Sequence, residues 1–287
     1  METIDLLKKV RQIEIKTRGL SKHIFAGEYH SAFKGKGMTF NEVREYQYGD
    51  DVKDIDWNVT ARYDKAFIKT FEEERELTVI LLIDFSASQI FGTQKKFKNE
   101  LVTELAAVLS FSAIQNNDKV GVIFFTDKIE KFIPPKKGKK HILRIIRELL
   151  NFKPESTKTN ISEALKFFTN AIKKRTIAFL ISDFFDNEIE TALRTTNHKH
   201  DLIAIQIYDE REYILPNVGF IKIKDAESND EAWINTSRKS IRNKFNENRE
   251  NSYLKLKQIF AGNGIDHVRI KTNEDYIKPL LKLFKSR

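Results

Sequence analysis

The stretch that decides the fold runs from residue 77 to residue 88 and reads LTVILLIDFSAS. Its first part, residues 77–83, is a continuous apolar run rich in β-branched side chains, which is typical of a strand covered on both faces. The run stops at Asp84, and one carboxylate and two hydroxyls then follow at i, i+2 and i+4. We therefore predict a buried strand whose carboxyl end turns Asp84, Ser86 and Ser88 toward one side of the next loop.

Three more buried runs follow this strand, at residues 119–125, 176–182 and 201–208. Stretches with helical periodicity separate them, such as residues 95–115, where apolar residues share one stripe. Residues 129–133 follow the second run almost directly and predict its antiparallel hairpin partner. The alternation predicts an α/β fold, with a doubly wound, mostly parallel sheet and helices on both faces.

The chain divides into an N-terminal extension, residues 1–75, that we expect to pack on a main domain of residues 76–287. The extension includes TFNEVREY at residues 39–46, where Thr39 and Glu42 have the spacing of a helix capping box, so we expect a short helix there. In the main domain, residues 218–236 predict an inserted, exposed hairpin. A long charged helix, a last strand and a C-terminal helix are expected after it.

Composition excludes several classes of function. The 287 residues carry 50 Lys+Arg against 41 Asp+Glu, a formal charge of +9, which is a modest excess. The densest basic run, residues 134–140, lacks interleaved aromatic residues, so we predict no nucleic-acid partner. No apolar run approaches the length of a transmembrane helix, and the absence of Cys excludes disulfides and thiolate metal sites. We expect a cytoplasmic protein.

Polar residues also end the third buried run, at Ser182 and Asp183, and Thr159 lies in a loop that opens a helix. In open α/β sheets, ligands bind beyond the carboxyl ends of the strands, where the strand order reverses. We expect five oxygen donors to converge there: Asp84, Ser86, Ser88, Thr159 and Asp183. Such hard and mostly neutral oxygens favour Mg²⁺ or Mn²⁺ over zinc or copper.

Each of these residues is by itself common as a helix cap or a turn residue. The metal hypothesis therefore requires that the oxygens converge to within about 6 Å, with no basic head group among them. It also suggests that replacing Asp183 by Ala stabilises the metal-free protein, because two carboxylates would be crowded together.

The D-x-S-x-S motif at residues 84–88, with Thr159 and Asp183, resembles the metal-ion-dependent adhesion site of von Willebrand factor type A domains. The resemblance covers the chain from about residue 77 onward. It implies that the two serines and the threonine coordinate the metal, that the aspartates act largely through water, and that a partner's Asp or Glu completes the coordination. One departure is Phe184, where many such domains carry Gly.

A second resemblance lies in the N-terminal part, where the chain closely matches the signature of the domain-of-unknown-function 58 family. The matching residues are REY at 44–46, YGD at 48–50, DIDW at 54–57, AR at 61–62 and IKTFEEE at 68–74. Members pair this signature with a von Willebrand type A domain and typically accompany MoxR-class AAA+ ATPases. The resemblance therefore implies an adaptor or co-chaperone of such an ATPase.

The signature itself favours a structural role over a substrate site. We expect a turn at Gly49, a buried Trp57, and ion pairs between arginines and nearby acids. The residues of this predicted framework are Arg44, Gly49, Asp50, Asp54, Asp56, Trp57 and Arg62.

Residues for catalysis are missing from the sequence. It contains neither a G-x-x-x-x-G-K-[ST] phosphate loop nor a G-x-S-x-G elbow, and Ser86 stands where a haloacid-dehalogenase phosphatase needs a second Asp. We predict no catalytic residues and a non-enzymatic module, in which a cation held mostly by hydroxyls attracts a partner's carboxylate. The alternative is a Mg²⁺-dependent hydrolase acting on phosphate esters.

Overall fold

A computed structural model describes residues 39–63, 65–72, 77–87, 98–186, 188–224 and 231–287. The chain forms two compact units, Phe33–Leu77 and a larger one that contains Thr78–Arg287. The start of the predicted extension, residues 1–38, and Ser88 of the predicted metal set lie outside the described residues.

The smaller unit is built on an antiparallel pair of strands, β1 (Thr39–Glu45) and β2 (Phe67–Glu72), with an irregularity between Phe40 and Glu42. The short helix expected at residues 39–46 is therefore wrong. An isolated helix of that length is marginal, and a capping box contributes only local hydrogen bonds. Pairing with β2 provides hydrogen-bond partners for the backbone of the segment. No local sequence pattern indicates this partner, which lies more than twenty residues away.

Between these strands, the signature residues form turns and one short helix, α1 (Trp57–Thr60). The Arg44 guanidinium donates to both carboxylate oxygens of Asp50 at 2.8 and 2.9 Å, and it holds the pKa of Asp50 below its ordinary value. Gly49 has φ +109°, a conformation that few other residues adopt in a turn. The ion pair and the glycine together close the turn that follows β1.

Of the other signature residues, Asp56 is buried, whereas Asp54, Trp57 and Arg62 are exposed. Asp54 belongs to a 3₁₀ turn, and Asp56 caps α1 by accepting from the amides of Asn58 and Val59. Arg62 is exposed, and Trp57, which we expected to be buried, is 67% exposed. The cap explains this result: it fixes Trp57 at the start of a one-turn helix that has no buried residue of its own.

The larger unit has eight strands and six helices among its described residues. Its strands are β3 (Thr78–Asp84), β4 (Lys119–Phe125), β5 (Ile129–Lys136), β6 (Ile177–Ser182), β7 (Asp201–Tyr208), β8 (Phe220–Lys224), β9 (Glu231–Asn235) and β10 (Asp266–Lys271). Its helices are α2 (Lys98–Gln115), α3 (Lys139–Asn151), α4 (Ile161–Ala171), α5 (Glu190–Lys199), α6 (Lys239–Gly262) and α7 (Ile277–Lys285). Strands β8 and β9 form a separate antiparallel hairpin.

Six strands make the central sheet, in the order β10-β7-β6-β3-β4-β5. All neighbours are parallel except β4 and β5, which form the antiparallel hairpin expected from their short connection. The predicted doubly wound, mostly parallel α/β fold is confirmed. From β3 the chain first adds β4 on one side and later returns to add β6 on the other, so the strand order reverses between β3 and β6.

Helices cover both faces of this sheet. On one face Leu82 and Leu180 pack against Phe168 of α4, Leu193 of α5 and Phe260 of α6. On the other face α2 packs on β3, β4 and β7, and Phe179 contacts the Phe284 ring of α7. With both faces covered, only the ends of the strands remain for a polar site. Within the described ranges, no helix combines the length and apolarity needed to cross a bilayer.

Candidate metal centre

The two aspartates of the predicted site lie at the ends of adjacent strands. Asp84 is the last residue of β3 and Asp183 directly follows β6, and the two strands are paired in parallel up to Ile83 and Ile181. Both aspartates are 1% exposed, and Ser86 is completely buried. The reversal of strand order therefore brings these three residues to one edge of the sheet, at the position where α/β proteins bind ligands.

The loop that carries Thr159 is tied to the same edge by backbone hydrogen bonds. The Ala87 amide donates to the Thr157 carbonyl at 2.9 Å, and the Asn160 amide donates to the carbonyl of Thr126, just beyond β4, at 3.0 Å. The Ile161 amide donates to Asp186 at 2.8 Å, which links the start of α4 to the loop after β6. The partly exposed Thr159 thus sits in a loop joined to the loops after β3, β4 and β6.

The Asp84 carboxylate is held by hydrogen bonds on both oxygens. The Ser86 amide donates to Oδ1 at 2.9 Å, and the Ser182 hydroxyl donates to Oδ2 at 2.6 Å while accepting from the Phe184 amide at 3.0 Å. Ser182 therefore fixes the end of β6 to the end of β3. Sequence reasoning gave Ser182 no role, although its place as the last residue of a buried strand was a usable signal.

Asp84 has a strongly perturbed titration. Burial, and next the negative charge of Asp183, raise the pKa of Asp84 from 3.8 to about 7, although hydrogen bonds from Ser182 and Ser86 act in the opposite direction. A cation at this site would offset the part of the shift that comes from the negative charge of Asp183.

A lysine already supplies one positive charge at this site. Lys98, at the start of α2, is completely buried, and its Nζ lies 3.1 Å from Asp183 Oδ2 and also bonds to Glu212 Oε1. Burial would lower the pKa of Lys98, but the charges of Asp183 and Glu212 outweigh burial and raise it. Burial also raises the pKa of Glu212. The expectation that no basic head group lies at the site is therefore wrong.

The sequence did contain a signal for this lysine. Lys98 precedes Leu101 by three residues and Leu105 by seven, so it lies on the apolar stripe of its helix. A charged residue on such a stripe is buried only when it is paired. The periodicity could have predicted a buried lysine, but not its acidic partners.

Lys98 breaks the condition set for the metal hypothesis at Asp183, but the charge of the site stays negative overall. When ionised, Asp84, Asp183 and Glu212 carry three negative charges against the single positive charge of Lys98, which leaves a deficit of two. The available donors are carboxylate and hydroxyl oxygens, the ligands that Mg²⁺ and Mn²⁺ prefer. These donors and this net charge are compatible with a divalent ion.

Phe184, the departure from the von Willebrand pattern, adopts a backbone conformation that glycine favours. Its φ is +60°, which is rare for a bulky residue because the Cβ crowds the following carbonyl. Its ring is 6% exposed and meets the Phe260 ring of α6 edge-on at 5.2 Å. The loop after Asp183 thus keeps a strained backbone, and burial of the aromatic ring offsets the strain.

This strain predicts an unusual order of stability for two variants. We expect Phe184→Ala to lower the free energy of unfolding by roughly 3–5 kcal/mol through loss of the buried ring. Phe184→Gly loses the same ring but relieves the positive φ, so it should be more stable than Phe184→Ala by about 1 kcal/mol. Urea denaturation of both variants measures the difference.

Phe168 provides the matched control, because its fully buried ring lies within helix α4. There the Gly variant should be less stable than the Ala variant by about 1 kcal/mol, the usual order in a helix. The same order at both positions would show that Phe184 carries no strain.

Comparison with known proteins agrees with this architecture. Residues 42–253 match the profile of the family described as "Protein of unknown function DUF58". An uncharacterized protein of Mycobacterium tuberculosis is 25% identical over 285 residues, covering 98% of this chain and 90% of that protein. The crystal structure of the conserved hypothetical protein BatB from Bacteroides thetaiotaomicron is 16% identical with a TM-score of 0.50, covering 73% of this chain and 98% of that one.

A second solved structure, an aerotolerance-related membrane protein from Bacteroides fragilis, is 14% identical with a TM-score of 0.50. It covers 73% of this chain and 97% of its own. At these identities the two solved structures are evidence for the fold alone.

Proposed function

Since the chain belongs to the DUF58 family, we propose that it is a non-enzymatic interaction module of the von Willebrand type A kind. In this proposal Ser86, Ser88 and Thr159 coordinate Mg²⁺ or Mn²⁺, and Asp84 and Asp183 hold the ion largely through water. The module binds an Asp or Glu side chain of a partner protein. The observation that carries the proposal is the pair of buried aspartates at the reversal of strand order, whose negative charge Lys98 only partly balances.

The residues of the chain prepare this site before any partner arrives. The Ser86 amide and the Ser182 hydroxyl hold the Asp84 carboxylate in one orientation, and burial keeps bulk water away from it. When bound, the cation supplies a positive charge with a coordination place left for an anionic ligand. Because the direct ligands are neutral hydroxyls, a partner's carboxylate gains a strong and directional contact.

The proposed partner is a MoxR-type AAA+ ATPase, a client protein, or both. The family resemblance suggests the ATPase, for which this chain would be an adaptor or co-chaperone. Because such an ATPase consumes ATP, the proposed encounter takes place in the cytoplasm.

Retention of a MoxR-type ATPase from the same organism on the immobilised chain tests the proposal. We expect retention in Mg²⁺, loss in EDTA and recovery when Mg²⁺ is restored, because the partner's carboxylate would bind only through the ion. Asp84→Asn should abolish retention. Asp201→Asn is the matched control, since Asp201 begins β7 at the opposite, amino end of the sheet and should leave retention unchanged.

Retention of the ATPase that survives both EDTA and Asp84→Asn would show that the ion plays no part in docking. Loss of retention in Asp201→Asn as well would point to a general effect on folding.

A further inference from the structure

Lys98 occupies a position that the proposed function does not explain. We infer that Lys98 is a tethered counter-ion that competes with the divalent cation for Asp183, and that Glu212 is the second acceptor that keeps the lysine when a cation binds. This inference rests on the proposed metal site and adds to it a residue that sets how tightly the site binds.

The first support is the place of the ammonium group. Lys98 Nζ lies 3.1 Å from Asp183 Oδ2, inside a site where both side chains are at most 1% exposed. The Phe185 ring lies 5.8 Å from the same nitrogen. At this distance the ammonium group occupies one side of the Asp183 carboxylate. A cation near Asp183 must therefore displace Lys98 or bear its repulsion.

The second support is the fixed position of Glu212. The Asp209 amide donates to Glu212 Oε2 at 2.9 Å, and the Asp209 side chain accepts from the Arg211 amide at 2.9 Å, which closes a capping box. The Thr272 hydroxyl donates to the other Asp209 oxygen at 2.9 Å. Glu212 thus uses Oε2 for its own turn and presents Oε1 to Lys98. It can hold the lysine without help from Asp183.

The third support is the balance of charge. Without a metal, Lys98 offsets one of the three carboxylates, so a buried cluster of like charges is partly compensated. With a divalent ion added, the four side chains and the ion sum to zero. A monovalent ion would leave the cluster negative. Lys98 therefore weakens cation binding, because its positive charge repels an ion placed beside Asp183.

Two variants are expected to change affinity in opposite directions. Lys98→Met removes the competing charge at similar length, so Mn²⁺ and Mg²⁺ should bind about tenfold more tightly. Glu212→Gln removes the charge of the second acceptor, so Lys98 pairs with Asp183 alone and the site is less negative. The affinity for both ions should therefore fall by at least about threefold. Lys131→Met is the matched control, because Lys131 pairs with Glu148 on the hairpin strand β5 and should change affinity by less than about twofold.

Mn²⁺ binding followed by electron paramagnetic resonance, with Mg²⁺ calorimetry beside it, measures all four proteins. If the wild type binds the ions and Lys98→Met binds them with the same or lower affinity, the inference is overturned but the proposed metal site remains. Binding of neither ion by any of the proteins would remove both. If Lys98→Met does not fold, Glu212→Gln decides, because affinity equal to or above that of the wild type contradicts competition for Asp183.

Discussion

Asp84→Asn is expected to abolish Mg²⁺ binding and, in EDTA, to make the protein more stable than the wild type at about pH 8. The substitution removes the carboxylate that the proposed ion needs, so the loss of affinity should be at least about a hundredfold. It also removes a buried charge. The amide keeps the shape of the side chain, and its oxygen can still accept from the Ser86 amide.

The direction of the pH effect follows from the raised pKa. In the unfolded chain Asp84 titrates near 3.8, whereas in the folded protein its pKa is about 7. Between these values the folded state binds more protons, so this group makes the wild type lose stability as pH rises through that window. Asp84→Asn lacks this loss. The two proteins should be about equally stable below about pH 4, and the variant should be more stable near pH 8.

Urea denaturation at the two pH values, with EDTA present, measures this crossover. Glu212 titrates in both proteins, so the difference between them isolates Asp84. Addition of Mg²⁺ at the higher pH should raise the stability of the wild type and leave the variant unchanged. An Asp84→Asn protein that still binds Mg²⁺, or that loses stability with pH as steeply as the wild type, would contradict the assignment.

The sequence predicted that Asp84 and Asp183 lie at neighbouring strand ends, because two local signals and one topological rule are enough for that prediction. The apolar runs before Asp84 and Ser182 identify buried strands. The polar residues that end these runs mark the edge of the sheet at the carboxyl ends of the parallel strands. The rule on reversal of strand order then brings the two ends together. None of these steps requires knowledge of a contact that is distant in sequence.

The same reasoning missed what depends on distant contacts. Asp183 lies 85 residues after Lys98, and Glu212 lies 114 residues after it, so no local pattern links the three. Strand β1 is a similar case, since its partner β2 decides its conformation against a local capping signal. Trp57 shows the reverse error: a large aromatic side chain was expected to be buried, although a one-turn helix offers no buried face.

Asp183→Ala is expected to lower the free energy of unfolding by about 3 kcal/mol, although the sequence suggested a stabilising effect. Asp84 and Asp183 repel each other, but we expect the direct contact of Asp183 with the buried Lys98 ammonium to outweigh this repulsion. After the substitution Lys98 keeps Glu212 as an acceptor, which places the cost at the low end of the range for a broken buried ion pair.

A double-mutant cycle separates the pair from the crowding. Adding Lys98→Met to Asp183→Ala removes the poorly compensated ammonium, so the double variant should recover part of the stability that Asp183→Ala loses. Urea denaturation in EDTA measures all four proteins. If the free energy of unfolding of Asp183→Ala equals or exceeds that of the wild type, repulsion between the two aspartates outweighs the ion pair of Asp183 with Lys98. The two neighbouring carboxylates are thus expected to act in opposite directions: one lowers the stability of the metal-free protein, and the other supports it through Lys98.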